Sequence, residues 1–561
     1  MKRLLKNGTI VNVFTGELIK TNVLFENGII LGVDDYGDDE ADEVIDAAGK
    51  YICPGFIDGH IHIESTMLTC PEFAKTAVSH GTTAVIADPH EIANVSGKDG
   101  LRYMIESSEG LPLTVYFVIP SCVPATSFDE SGAVLSADDI EEFYSESRVL
   151  GLGEVMNYVG VVAGDGELEK KIKSALSRGL VVNGHAPLLS GKPLDKYISA
   201  GIGDDHECSS ADEAKERIRK GQRIMIRQGT AARNLSGLIS LFDDPWEQRC
   251  LLVTDDKHPA DLISNGHIDS IIRSAVQMGK SAVTGIRMAT LHAAECFGLK
   301  NTGAVAPGYK ADLLVLDDLD KVIVRDVYKN GEKVVSDGKT LCFDMPKIND
   351  ALEKKVRSSF NLPMLSSSDF DVDYNGKRKC HVISLVDGQL LTDDLVSDID
   401  FDCNNGIDIE HDILKIAVIE RHHNTGHIGN AFIKGIGLKE GAIASSVAHD
   451  SHNLIVIGTN TDDMAFAANR IRELGGGIVS VKNGKVVAEM PLPIGGLMSC
   501  ERAAEENEKV RESVYSLGVP KGFEPFMIMS FLSLPVIPHL KLTTKGLVNV
   551  DTQSEVPLAA E

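Results

Sequence analysis

Eight short apolar runs recur between residues 52 and 300: ICPGFID, TTAVIAD, LTVYFVI, VLGLGEV, GLVVNGH, GIGDDHE, RIMIRQG and CLLVTDD. Helix-like stretches separate most of them. PEFAKTAVSHG places Pro71 at a first helical position and stops at Gly81. ELEKKIKSALSRG and SADEAKERIRKG both end in basic residues followed by glycine, as helix C-termini prefer. Eight strand–helix units in about 250 residues predict a (β/α)8 TIM barrel over 52–300. The seventh unit is the least regular, since ARNLSGLISLF is only loosely amphipathic.

The flanks have a different texture. Over residues 1–51, LLKNGTIV and VLFENGIILGV alternate around Asn-Gly pairs, which predicts tight turns at Asn7-Gly8 and Asn27-Gly28. The same texture returns over 301–345 in GAVAPGYKADLLVLD and VIVRDVYKNGEKVV. Both ends of the barrel are therefore expected to build one small β-sandwich domain. At 561 residues the chain exceeds a single core, and 346–561 is expected to form an additional C-terminal mixed α/β domain. There KINDALEKKVRSSF reads as a surface helix, and NRIRELGGGIVSVKNGKVVAEMPL as helix, glycine-rich turn and hairpin.

Charge and cysteine usage narrow the partners. Lys and Arg number 55 against 82 Asp and Glu, a formal net charge of -27. Such a surface repels nucleic-acid phosphates and anionic membranes, so neither is an expected partner; a small neutral substrate is. The ten cysteines (53, 70, 122, 208, 250, 296, 342, 380, 403 and 500) contain no C-x-x-C pair. That argues against a disulfide framework and a cysteine-held zinc, and for reduced thiols in the cytoplasm. The first residues, MKRLLKNGTIVNVF, lack a signal peptide's apolar core, and no stretch approaches the roughly 20 apolar residues of a membrane span. A soluble homo-oligomer, a dimer, is expected.

Chemistry enters at the strand ends. The first run closes on Asp58-Gly59-His60-Ile61-His62, where residues two apart on a strand project both imidazoles to one side. Later runs end in Glu154, His185, His206 and Asp255. Any one of these alone reads as a hydrogen-bonded strand terminus. Six metal-ligand residue types at five strand ends, on the face where barrels build their sites, point to a metal centre. His80, His267 and His292 fall in helix-like stretches and read as structural, Gly151 and Gly153 as strand glycines that allow close packing, and Met527 and Met529 as core.

Pro54-Gly55-Phe56-Ile57-Asp58-Gly59-His60-Ile61-His62 resembles the opening segment of the amidohydrolase superfamily. MATLHAAECFGL (288–299), then Gly303, Pro307-Gly308 and Ala311-Asp312-Leu313-Leu314, resembles its closing segment. The resemblance implies one metal on His60, His62, Glu154 and Asp255, and a second on Glu154, His185 and His206. Many two-metal members bridge the ions with a carboxylated lysine. GLGEVMNYVG holds no lysine, and Glu154 would bridge directly, which suits Mn²⁺ or Fe²⁺ as well as Zn²⁺.

Within the superfamily, Asp88-Pro89-His90-Glu91-Ile92-Ala93-Asn94-Val95, Glu64-Ser65-Thr66-Met67, Thr254-Asp255-Asp256, ERHHNTG (420–426) and AHDSHN (448–453) resemble the adenine deaminases. The cytidine-deaminase pattern of H-x-E with P-C-x-x-C is absent. The implied reaction is hydrolytic deamination of adenine to hypoxanthine and ammonia by a metal-activated hydroxide, a purine-salvage step. Asp255 would move the proton, His206 could help polarise the ring, and Ser65, His90, Glu91 and Asp256 would meet the purine edge. Asp256 could instead cap the next helix. A cyclic amidase acting on a hydantoin- or dihydropyrimidine-like ring would be expected to carry lysine at 154; another heterocycle deaminase remains an alternative. A non-catalytic barrel scaffold would lack ligands. In the C-terminal region, His422, His423, His427, His449, Asp450, His452, Asp462 and Asp463 form either a satisfied polar surface or an extension of the site, with His449 and His452 the leading candidates.

Overall fold

All eight apolar runs become parallel strands in the computed structural model, which describes residues 1–230, 232–372, 374, 376–386, 391–402, 404–500 and 503–560. They are β1 (Phe56–Ile61), β2 (Thr82–Ala87), β3 (Thr114–Ile119), β4 (Val149–Val155), β5 (Val181–Gly184), β6 (Asp204–Asp205), β7 (Arg223–Arg227) and β8 (Cys250–Val253). The first five pair in sequence order, as do the last three. Gly203 N–H donates to the Val182 carbonyl at 3.0 Å across the β5–β6 seam, and Asp255 N–H to the His60 carbonyl at 3.0 Å across the β8–β1 seam. The barrel is thereby closed. Its inner packing needs glycine: a Cβ on Gly151 would lie 2.2 Å from the Val181 carbonyl oxygen, and one on Gly153 2.2 Å from an Asp88 carboxylate oxygen.

Helices α1 (Cys70–Ser79) and α2 (His90–Ser107) follow β1 and β2. The helices Gly166–Ser177 and Ala211–Arg219 fall where the basic-then-glycine endings predict them. The seventh unit is indeed the poorest, one turn at Leu235–Leu238 running into a 3-10 turn at Ile239–Phe242. Leu235, Leu238 and Leu241 are nevertheless all buried, so tertiary packing holds what local propensity does not.

A nine-stranded sheet draws on both flanks. Tyr51–Pro54 pairs antiparallel with Leu313–Asp318, joining strands from before the barrel to strands from after it. Asn27-Gly28 (φ 50° and 79°) and Asn330-Gly331 (φ 49° and 76°) make the predicted tight turns. Asn7-Gly8 does not. Arg3–Val11 is one continuous strand with a register shift between Leu5 and Gly8, so Asn7 (φ 66°) forms a bulge. Asn7 N–H donates to Asn22 Oδ1 at 2.9 Å, and Gly8 leaves room for Ile52, whose Cδ1 would sit 2.5 Å from a Cβ there.

The remaining region centres on an eight-stranded sheet whose central strand, Ile413–Ile419, is buried along its whole length. Leu414, Ile416 and Val418 share one apolar cluster with barrel residues such as Ile63 and Ile92, while Ala417 and Ile419 pack with the helix Thr461–Leu474. That helix leads through glycines to the hairpin Gly477–Lys482 and Lys485–Pro491, in the predicted order. The helix Asp350–Arg357 is less of a surface element than its sequence suggests, because Leu352 and Val356 are buried and it lies against α2. Among the described residues no helix is long and apolar enough to cross a membrane. The nine described cysteines are free; Cys403 lies outside the described residues.

Asp58 ties the barrel seam. Its Oδ1 accepts from the backbone N–H of His60 at 3.2 Å and of Thr254 at 3.1 Å. Its Oδ2 accepts from Thr254 Oγ1 at 2.5 Å and faces His267 Nε2 at 3.1 Å. Asp58→Ala is expected to lower unfolding free energy by about 2–4 kcal/mol, since it strands buried donors without a partner. Urea denaturation checks this; an unchanged midpoint would contradict it.

Candidate functional site

Every strand-end residue of interest converges at the C-terminal mouth of the barrel. β1 carries His60 and delivers His62 just beyond its end; β4 carries Glu154, the residues after β5 and β6 supply His185 and His206, and β8 is followed by Asp255. Asp255 adopts a left-handed backbone (φ 59°), tolerable for an aspartate, which turns its carboxylate in toward His60.

Glu154 is the hub. Its Oε1 lies 3.3 Å from His62 Nε2 and 3.3 Å from His90 Nδ1. Its Oε2 lies 2.6 Å from His185 Nδ1 and 3.2 Å from His206 Nε2. Asp255 Oδ1 faces His60 Nε2 at 3.4 Å and His62 Nε2 at 3.3 Å. Each Glu154 oxygen therefore faces its own pair of imidazoles, and Asp255 a third. Burial works to raise the Glu154 carboxyl, but the imidazoles of His185 and His206 override it and hold it well below the usual range. Asp255 is likewise held low, by Arg227 first and then by His60 and His62. Burial and neighbouring His206 bring His60 down to about 4.

Two further features suit the set to divalent cations. The ring of His62 meets the Asp88 carbonyl through Nδ1 at 2.9 Å, so Nδ1 donates there and Nε2 is the atom turned toward Asp255 and Glu154. His60 Nε2 and His90 Nδ1 are buried with no hydrogen-bond partner. The groups His60–His62–Asp255, His60–Glu154–His206, His62–His90–Glu154 and His185–His206–Glu207 each bring three ligand atoms within 4.8 Å of one another. Neutral imidazole and carboxylate donors at these spacings fit a pair of hard to borderline divalent ions.

The supports are specific. Glu154 N–H donates to Asp88 Oδ2 at 2.9 Å, while Tyr197 receives the His185 N–H at 2.9 Å and donates its own hydroxyl proton to the Val155 carbonyl at 2.8 Å. Arg227 Nη1 reaches Asp255 Oδ2 at 2.9 Å and Glu207 Oε1 at 2.5 Å.

Beside this cluster opens a cavity of about 220 Å³, a size suited to one small ligand. One wall is polar, with His62, His90, Glu91, Glu154, His185, His206, Glu207, Arg227, Asp255, Asp256, His449 and Asp450. The other is apolar: Met156 and Pro187 from the barrel, and Phe531, Leu534, Val536, Ile537 and Pro538 from the C-terminal region.

The residues expected at a purine edge fall out differently. His90 lies within the imidazole cluster. Glu91 lines the cavity, with its carboxylate held by His449 and His452. Asp256 lines it too and caps no helix, since Pro259–Asn265 starts from His258. Ser65 is not a lining residue; its hydroxyl donates to Asp256 Oδ1 at 2.6 Å. Of the C-terminal cluster, His449 and Asp450 reach the cavity, whereas His422, His423 and His427 do not line it. His427 instead pairs with Glu130 at 2.8 Å, and His423 Nε2 meets the Ser131 carbonyl at 3.2 Å. Sequence reasoning passed over Glu207, although it adjoins His206, and Arg227, whose charge in the apolar strand RIMIR was a usable signal.

Comparison with known proteins adds an independent line. Residues 51–341 match the amidohydrolase family, and residues 389–554 match the adenine deaminase C-terminal domain. Adenine deaminase 2 of Carboxydothermus hydrogenoformans is 44% identical over 561 residues, covering 99% of this chain and 96% of that protein. The adenine deaminase of Oceanobacillus iheyensis is 43% identical, with 99% and 96% covered. That of Clostridium acetobutylicum is 44% identical, with 97% and 95% covered.

Glu154→Gln keeps the size of the hub and removes its charge. The variant is expected to retain fewer than two metal equivalents by elemental analysis; two retained ions with full activity would contradict a bridging role.

Proposed function

We infer the reaction of this chain from its family: it belongs to the amidohydrolases and, within them, to the adenine deaminases. It is a hydrolase that removes the exocyclic amino group of adenine, using water and yielding hypoxanthine and ammonia. The observation that carries this reading beyond the likeness is a cavity in which the imidazole–carboxylate set faces an apolar wall. A flat, neutral heterocycle suits those two walls.

The family is metal-dependent, and we assign His60, His62 and Asp255 to one ion and His185 and His206 to the other, with Glu154 between them and His90 beside it. The carboxylate hub favours Mn²⁺ or Fe²⁺, with Zn²⁺ also compatible. Bound ions would supply the Lewis acidity that makes water a competent nucleophile near neutral pH. The chain's own groups do the rest. Attack at C6 forms a C–O bond and moves an electron pair onto the ring. Asp255, kept ionised by Arg227, takes one water proton and returns it to the departing nitrogen. The pair held on the ring then re-forms the ring double bond at C6, and the exocyclic C6–N bond breaks with release of ammonia rather than amide anion. The second water hydrogen stays on the product oxygen as the hydroxyl tautomer of hypoxanthine. Asp256 accepts an N–H of the base, and the Ser65 hydroxyl fixes its carboxylate in the orientation to do so. Phe531 and its apolar neighbours exclude bulk water from the ring face.

A cyclic amidase is not favoured, because Glu154 stands where that chemistry would carry a carboxylated lysine, and the near full-length relatives are adenine deaminases. Incubation of the metal-loaded enzyme with adenine, guanine, cytosine, hydantoin and dihydrouracil, followed by ammonia release, tests the choice. Ammonia from adenine alone is expected; ring opening of either cyclic amide without adenine turnover would refute it. In the same assay Asp255→Asn, checked for full metal content, is expected to lose at least roughly 10²-fold in kcat.

A further inference from the structure

Residues 448–453 form a loop of the C-terminal region that meets the barrel's charged wall. Its backbone is tied down on several sides: His449 N–H donates to the Ser530 carbonyl at 2.8 Å, and Arg421 Nε donates to the His452 carbonyl at 2.6 Å. Two imidazoles from this loop converge on Glu91, in the first turn of α2 and 358 residues away from His449 in the chain. His449 Nδ1 bonds Glu91 Oε1, and His452 Nε2 bonds Glu91 Oε2. All three side chains are buried.

Their composition is that of a third metal site, but the tautomers argue otherwise. Ala448 N–H donates to His452 Nδ1 at 3.0 Å, so Nδ1 holds the lone pair and the proton of the neutral ring sits on Nε2, facing Glu91. A cation there would have to displace that proton from a ring already accepting at its other nitrogen. The trio is better described as a clamp. With one Glu91 oxygen held by His452, the other fixes His449 through Nδ1. Burial works to lower His449, but the Glu91 carboxylate overrides it and pushes the imidazole up to about 9, so both ring nitrogens carry protons. Stacked on Phe531 with centroids 4.6 Å apart, the ring has only its Nε2–H left for the cavity it lines. Asp450, next in the chain, lines the same cavity with a buried Oδ2 that has no partner. Consecutive loop residues thus offer a donor and an acceptor.

We propose that Glu91 is a positioning residue that orients His449 so that its Nε2–H donates to a lone pair on a ring nitrogen of the purine, making this C-terminal loop the reader of the base. The inference rests on the deaminase reading for the identity of the ligand. It concerns specificity and is separate from the proton transfer assigned to Asp255.

Deaza analogues test it. Calorimetric binding of adenine and of 1-, 3- and 7-deazaadenine is measured with wild type, His449→Ala, His449→Gln and Glu91→Gln, each checked by circular dichroism melting and metal content. Wild type is expected to bind one analogue about tenfold or more weakly than adenine, as loss of one charge-assisted hydrogen bond implies. That gap should close in His449→Ala, survive in part in His449→Gln, whose amide still donates, and shrink in Glu91→Gln. Additive losses in a folded His449→Ala, or a wild type indifferent to all three analogues, overturn the proposal. Should His449→Ala unfold, an undiminished gap in Glu91→Gln overturns it equally. Discrimination without ammonia release from adenine would refute the deaminase reading and leave the role of His449 standing; failure of wild type to bind adenine refutes both.

Discussion

The Glu154 carboxylate is buried where four imidazoles from four different strand ends surround it, and much of the barrel's architecture answers to that one charge. An isolated carboxylate in such a place would be strongly disfavoured; ringed by ligand groups it becomes a site for positive charge. Its backbone is pinned by Asp88, the barrel narrows around it because Gly153 leaves room for that same aspartate, and Ser121 Oγ donates to its carbonyl at 2.5 Å. The backbone of Glu154 is thus held at both its N–H and its carbonyl.

A second constraint acts across the domain boundary. The barrel supplies most of the charged lining of the cavity, to which the C-terminal region adds His449 and Asp450. Most of the apolar wall and the loop that meets Glu91 come from the C-terminal region, whose sheet shares a continuous core with the barrel helices. Because those strands bury both faces, one toward the barrel and one toward the helix Thr461–Leu474, the region is anchored well enough to hold a loop in register with a barrel carboxylate. Fixed geometry of this kind is what specificity for a small rigid base requires.

The barrel, its eight strands and the ligand-type residues at their ends were legible because each is local. An apolar run ending in a polar residue is a feature of a few neighbours, and parallel barrels put strand C-termini on one face whatever the rest of the chain does. The Asn-Gly turns at Asn27 and Asn330 were legible for the same reason. Asn7-Gly8 carried an identical local signal and became a bulge, because pairing with Leu18–Glu26 continues past it and Ile52 occupies the space beside Gly8. There tertiary packing outweighed turn propensity.

The sequence by itself therefore determined the barrel, the six ligand-type residues at its mouth and the kinship that gives the chemistry. Only the tertiary structure decided which polar residues act on which. Ser65 and Asp256 are 191 positions apart, Glu91 and His449 358 apart, and Glu207 and Arg227 meet across two strands. Periodicity reports which face of an element is buried; it holds no information on what that face will meet. Long-range pairing depends on how whole elements pack, and so the histidine cluster, a mere concentration of residues in the sequence, resolves into one loop on the cavity and several side chains that serve the fold.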